Sequence, residues 1–260
     1  MGDGCEPIAA PAVRSSFLFC CRTVLKLIRV PEQLFDVTMY PVMFTLMFTY
    51  LFGGALANST GDYLHYLLPG ILVQSVLFTT VNTGFSIRSD VTTGYFDRIR
   101  TLPVWKASPI VGALLGDIVR YLFAAGVTVA IGLILGYRPG GGVTGMVLGV
   151  LVVVGFATCL SWIWISAGLV LRTPASVTSV GMTILIPLTF ASSIFVHPHT
   201  MPEWLGTFVE INPITHVAGA VRALAGGTAA GSHLVWTAVS AAVVLCLFVP
   251  VSLRRYGRMQ

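Results

Sequence analysis

Long apolar stretches separated by short polar connections dominate the chain from residue 36 onward. Six such runs, at 36–57, 64–87, 108–136, 143–170, 175–196 and 233–253, come near or exceed the ~20 residues a helix needs to cross a bilayer core. The third and fourth are longer than that, which predicts tilt or extension beyond the lipid. Pro187, inside the fifth, predicts a kink. Ahead of these runs, residues 15–30 follow another pattern. Phe17, Cys21, Val24 and Ile28 recur at helical spacing, Leu18 and Leu25 widen their stripe, and Arg22, Lys26 and Arg29 recur on its flank. This pattern predicts an amphipathic helix in the headgroup plane, apolar side chains in the acyl boundary and cations on anionic lipid, ended by Pro31.

Composition agrees with lipid as the solvent. Of 260 residues 55% are hydrophobic and only 10% charged, against about 25% charged in a soluble domain. Mean hydropathy is +0.86. The spans form one domain, 1–260, of an all-α polytopic membrane protein. The net charge of +5 is not gathered into a stripe, which argues against nucleic acid. The basic residues instead fix a topology. Arg14, Arg22, Lys26 and Arg29 precede the first run. Arg88, Arg98, Arg100 and Lys106 lie between the second and third, Arg172 between the fourth and fifth, and Arg254, Arg255 and Arg258 after the sixth. The other side has Arg138 and Arg222, and Arg120 lies within a run. The positive-inside rule then places both termini in the cytoplasm.

Chemistry-bearing motifs are scarce. A P-loop needs Gly-Lys-Ser/Thr, whereas Lys26 follows Leu25 and Lys106 follows Trp105. No His-Glu-x-x-His is present, so catalysis is not expected. The acids associated with the runs are Asp36, at a cytoplasmic start, and Asp117, in the cytoplasmic half of the third. Without more midplane acids or an inverted repeat, an ion-coupled carrier is the weaker alternative, and the driving force is expected from another polypeptide. Asp117 and Arg120, three apart, can pair on one helix face. Tyr40, Met43, Met47 and Tyr50 form a stripe that suits either helix packing or a substrate cavity for an amphipathic ligand. The glycine pairs 112/116, 132/136 and 145/149 predict close packing within the chain. Cys5, Cys20, Cys21, Cys159 and Cys246 follow no disulfide or zinc spacing. His197-Pro-His199 with Glu203 lacks any motif that fixes metal geometry, so no metal is expected.

The connection 88–103 is the most informative stretch. Val91, Tyr95, Ile99 and Leu102 share one helical face, Asp90, Asp97, Arg98 and Arg100 lie elsewhere, and Ser89 or Asp90 can cap the start. Pro103 closes it. A short helix with exposed aromatics and mixed charge suits docking into a groove of a soluble partner.

Asp90-x3-Gly94-Tyr95-Phe96-x-Arg98-Ile99-Arg100-x-Leu102-Pro103 resembles the cytoplasmic-loop signature of ABC-2 type permeases, in particular the daunorubicin/doxorubicin-resistance (DrrB-like) group. Arg29-Val-Pro-Glu-Gln-Leu-Phe-Asp36, Pro41, Phe52-Gly-Gly54, Pro202-Glu-Trp204-Leu205, Asn212-Pro213 and Arg222 are similar to that group too. The resemblance implies a six-span permease of the ABC-2, or type V, exporter kind. It would sit in the bacterial cytoplasmic membrane, pair with a second permease (identical or a paralogue) and stand on a dimer of separate ATPase subunits. No cofactor would bind this chain, since ATP and Mg2+ would sit on the ATPase. By the same resemblance 88–103 is the coupling helix, 15–30 the interfacial helix and 197–232 an extracellular re-entrant segment. The cargo would be an amphipathic hydrophobic compound such as an antibiotic or lipid, with polysaccharide or glycolipid export as the alternative within the superfamily.

Overall fold

The computed structural model describes residues 12–29, 31–56, 60–95, 108–196 and 202–258, and the described residues form helices and turns without a strand. In chain order they are α1 (Ala12–Arg29), α2 (Pro31–Leu56), α3 (Thr60–Thr92), α4 (Ser108–Ile134), α5 (Gly142–Val170), α6 (Pro174–Phe190), α7 (Glu203–Ile211), α8 (Pro213–Gly226) and α9 (Gly231–Arg258). Four of them, α3, α4, α5 and α9, are long and apolar enough to cross a membrane. α2 and α6 contribute shorter apolar helices, Val37–Leu51 and Pro174–Phe190.

The helix ends depart from the apolar runs where local chemistry dictates. α3 continues past 87 to Thr92, and Gly94 then turns the chain at φ +66, a left-handed conformation that a side chain disfavours. Ser89 and Asp90 therefore lie inside the last turns of α3 and cap no new helix. α9 extends beyond 253 through Arg254 and Arg255. α6 stops at Phe190, short of 196, with Pro187 in its final turn. Gly136, at φ +96, ends the turn after α4 and touches nothing with its face, so it is a stop signal and not half of a packing pair.

α3 is the hub. It packs against α2, α4, α5, α6 and α8, and its middle, residues 67–81, is buried throughout. Its contact with α5 is backbone to backbone: a Cβ on Gly84 would meet the Trp164 carbonyl oxygen at 2.5 Å, and one on Gly168 would meet that of Gly84 at 2.6 Å. In lipid, where apolar surface gains nothing by leaving solvent, such small-residue approaches carry helix association. Gly145 and Gly149 do the same for α5 against α8, meeting Leu224 and Val221. Gly116 admits Thr23, which brings α1 onto α4.

Ending α6 early leaves backbone carbonyls without helical partners, a large cost away from water. The Tyr63 and Tyr66 hydroxyls meet part of it, donating to the carbonyls of Phe195 and Ser193, and Asn212 and Arg222 meet more. Asn212 caps α8 by accepting from the Ile214 N–H, while its Nδ2 donates to the carbonyls of Leu188 at 2.7 Å and Ala191 at 2.8 Å. Arg222 donates to the carbonyls of Ser193 (2.7 Å), Ile194 (2.9 Å) and Tyr66 (2.9 Å), with its guanidinium 3.8 Å from the centre of the Tyr66 ring. These two residues fasten the α7–α8 excursion to α3 and α6.

Candidate functional site

At the end of the bundle where α1 lies, three residues form a clasp. Arg22 of α1 donates from both Nη atoms to the two carboxylate oxygens of Asp90 on α3, each at 3.1 Å, and its guanidinium lies 3.7 Å from the centre of the Tyr95 ring. Such a bidentate pair fixes orientation as well as distance. Burial weighs against the charge on Arg22, but the bond to Asp90 and its field leave the guanidinium pKa above its ordinary value. Burial raises the Tyr95 phenol, against the pull of Arg22. Arg22 thus holds Asp90 and Tyr95 while its side chain stays 41% exposed, and Leu18 and Leu25 are exposed beside it. Val91 packs against the small cluster of Ile87, Ile110, Leu114, Ile165 and Leu169.

A narrow cavity leads from this clasp to a second polar centre, bordered by Thr23, Ser86, Asp117 and Arg120. Asp117 and Arg120 pair at 3.1 Å and are each 2% exposed. The Thr83 hydroxyl donates to Asp117 at 2.7 Å, and the Tyr121 hydroxyl lies 3.0 Å from Thr83 Oγ1 and 2.7 Å from Ser161 Oγ. One polar net thereby joins α3, α4 and α5. Nearby, the Trp164 indole donates to Thr80 at 2.9 Å.

Between α2, α3 and α6, in the half of the bundle nearer α1, runs an open groove lined by Val37, Tyr40, Phe78, Thr79, Asn82 and Met182. Ser75, Thr79 and Asn82 follow at helical spacing, so α3 presents a polar stripe to it. The α2 residues Tyr40, Met43, Met47 and Tyr50 are all exposed, from 41% to 70%, and so none is buried in this chain's own core. Of the four, Tyr40 lines the groove.

The remaining candidates are dispersed. Lys26 lies within α1, and Arg29 is exposed at its end. Trp204 is exposed on α7, and Pro213 opens α8 behind Asn212. Phe96, Asp97, Arg98, Ile99, Arg100, Leu102 and Pro103 lie outside the described residues, as do His197 and His199. Among the described residues no three His, Cys, Asp or Glu side chains gather as a metal site.

Residues 15–225 match the family model of the ABC-2 type transporter. The chain belongs to the ABC-2 type transporter family. It is 42% identical over 256 residues to the daunorubicin resistance ABC transporter permease protein DrrB1 of Streptomyces coeruleorubidus, covering 98% of this chain and 90% of the relative. It is also 26% identical over 207 residues to the doxorubicin resistance ABC transporter permease protein DrrB of Mycobacterium tuberculosis, 80% and 72% of the two chains. A putative transport permease, ycf38 of Cyanophora paradoxa, is 24% identical over 247 residues, 91% and 80%. In this ABC-2 permease Thr83, Tyr121 and Ser161 carry no signal of their own in the sequence, since single hydroxyls in apolar runs become a net only when three helices bring them together. The polar stripe of α3, by contrast, is legible in its spacing of four and three.

Proposed function

We propose that this permease is the membrane half of an exporter that moves flat, amphipathic hydrophobic compounds outward, driven by ATP hydrolysis on a separate subunit. Identity of 42% along 98% of the chain to a permease named for daunorubicin resistance carries the reading. In it α2, α3, α4, α5, α6 and α9 are the six spans, both termini are cytoplasmic, and the α7–α8 excursion lies at the outer surface. The groove among α2, α3 and α6 then opens toward the cytoplasmic half, with aromatic and methionine walls for a ring system and hydroxyls for its substituents. The exposed α2 face is the surface for a second permease copy across which cargo passes.

Residues 88–103 receive the force. The ATPase dimer, on closing, presses on Phe96, Arg98 and Arg100. Tyr95 and Asp90 pass the displacement to α1 through Arg22, and to α3 directly, because Asp90 is part of that helix. Transport follows because the two states hold cargo with different affinity. Expression in anthracycline-sensitive bacteria, with and without an ABC ATP-binding subunit, tests the reading. Cell-associated daunorubicin fluorescence falls when both are present and stays at the control level with either alone. A fall with the permease alone, or none with both, contradicts it.

A further inference from the structure

Gln74 sits near the middle of α3 at 3% exposure, and neither its Oε1 nor its Nε2 has a hydrogen-bond partner among the described residues. A buried primary amide with both ends unmet is rare in a folded protein and destabilises the site that holds it. Gln74 borders a small apolar cavity together with Tyr40, Phe44, Ile71 and Phe78. Tyr40, Ser75 and Phe78 line both this cavity and the open groove, so the two adjoin. Between them stands one aromatic contact, Tyr40 edge-on to Phe78 with ring centroids 6.1 Å apart. Tyr40 is exposed on its other side and can swing away by side-chain rotation alone.

We propose that Gln74 is the polar anchor of a ligand subsite where this cavity meets the groove, and that the subsite takes a planar aromatic compound bearing a hydroxyl beside a carbonyl. The inference rests on the export reading and names the part of the cargo that this chain selects. The amide is planar, donates from Nε2 and accepts at Oε1, so neighbouring carbonyl and hydroxyl groups on one ring edge meet both. Tyr40, Phe44 and Phe78 offer ring faces and edges to the flat body of the ligand. A lipid acyl chain fits the same walls but leaves the amide unmet, and a site built to hydrogen-bond its ligand discriminates strongly against one that cannot. From Gln74 to Asn82 the α3 face rises about 12 Å, so a ligand anchored at Gln74 keeps its far end on the polar stripe of the groove.

The test uses the full-length permease in lipid nanodiscs, with empty nanodiscs as background, and two fluorescent probes of similar shape. Quinizarin, a dihydroxyanthraquinone, carries the paired hydroxyl and carbonyl; anthracene carries neither. Gln74→Leu is expected to weaken quinizarin binding about tenfold or more while anthracene binding stays unchanged. Gln74→Asn, with the amide withdrawn by one methylene, falls between. Equal quinizarin affinity in wild type and Gln74→Leu overturns the proposal and assigns the amide to water. Equal loss for both probes also overturns it, since the residue would then only hold the helices in place. Wild type that binds neither probe removes the subsite altogether, whereas the export reading stands or falls separately on drug accumulation.

Discussion

Asp117→Leu is expected to destabilise the permease by about 3–5 kcal/mol, the usual cost of removing one partner from a buried ion pair. Arg120 would remain 2% exposed without its counter-charge, and Thr83 would lose the acceptor it reaches at 2.7 Å. The shift should appear as a lowered midpoint in thermal unfolding of the detergent-solubilised protein. Asp117→Leu combined with Arg120→Met should recover most of the loss, because no unpaired charge is then left in the bundle. A single variant as stable as wild type would show that the pair is hydrated from the narrow cavity beside Arg22 and contributes little. A double variant worse than either single would show that the polar net of Thr83, Tyr121 and Ser161 requires the charges themselves.

Arg98→Glu with Arg100→Glu is expected to leave the permease inserted but to lower efflux more than about tenfold, with ATP turnover continuing on the partner. On the proposed docking, reversed charges at 98 and 100 repel the partner, and force no longer reaches the spans. Simultaneous measurement of phosphate release and drug movement in the assembled transporter distinguishes this from simple loss of assembly. Undiminished efflux would remove 88–103 from the force path.

Which parts of this account the sequence could show depends on the range of the interaction. Hydropathy is local, so the apolar runs mark the helices, and α4 and α5 begin within a residue of their runs. Ends are less local. No Gly or Pro interrupts the chain between Arg88 and Thr92, so α3 runs on until Gly94, and a reading that starts a new helix at Ser89 misplaces Asp90. The partner of Asp90 lies 68 residues away on α1, a separation no periodicity reveals. Asn212 and Arg222 were visible as parts of a resemblance, but their work, receiving the carbonyls left by the early end of α6, needs the turn at 191–196 in three dimensions. Gln74 is a single polar residue in an apolar run, and its unmet amide appears only once every neighbour is placed.

On the proposed function, the permease moves cargo only when a nucleotide-hydrolysing partner pushes on its inner end. Proteoliposomes holding the purified permease, with or without an ABC ATP-binding subunit, put this to the test when loaded daunorubicin is followed by fluorescence. Movement that needs both chains and ATP, and is indifferent to imposed proton or sodium gradients, is the predicted result. Gradient-driven movement by the permease alone would contradict the account.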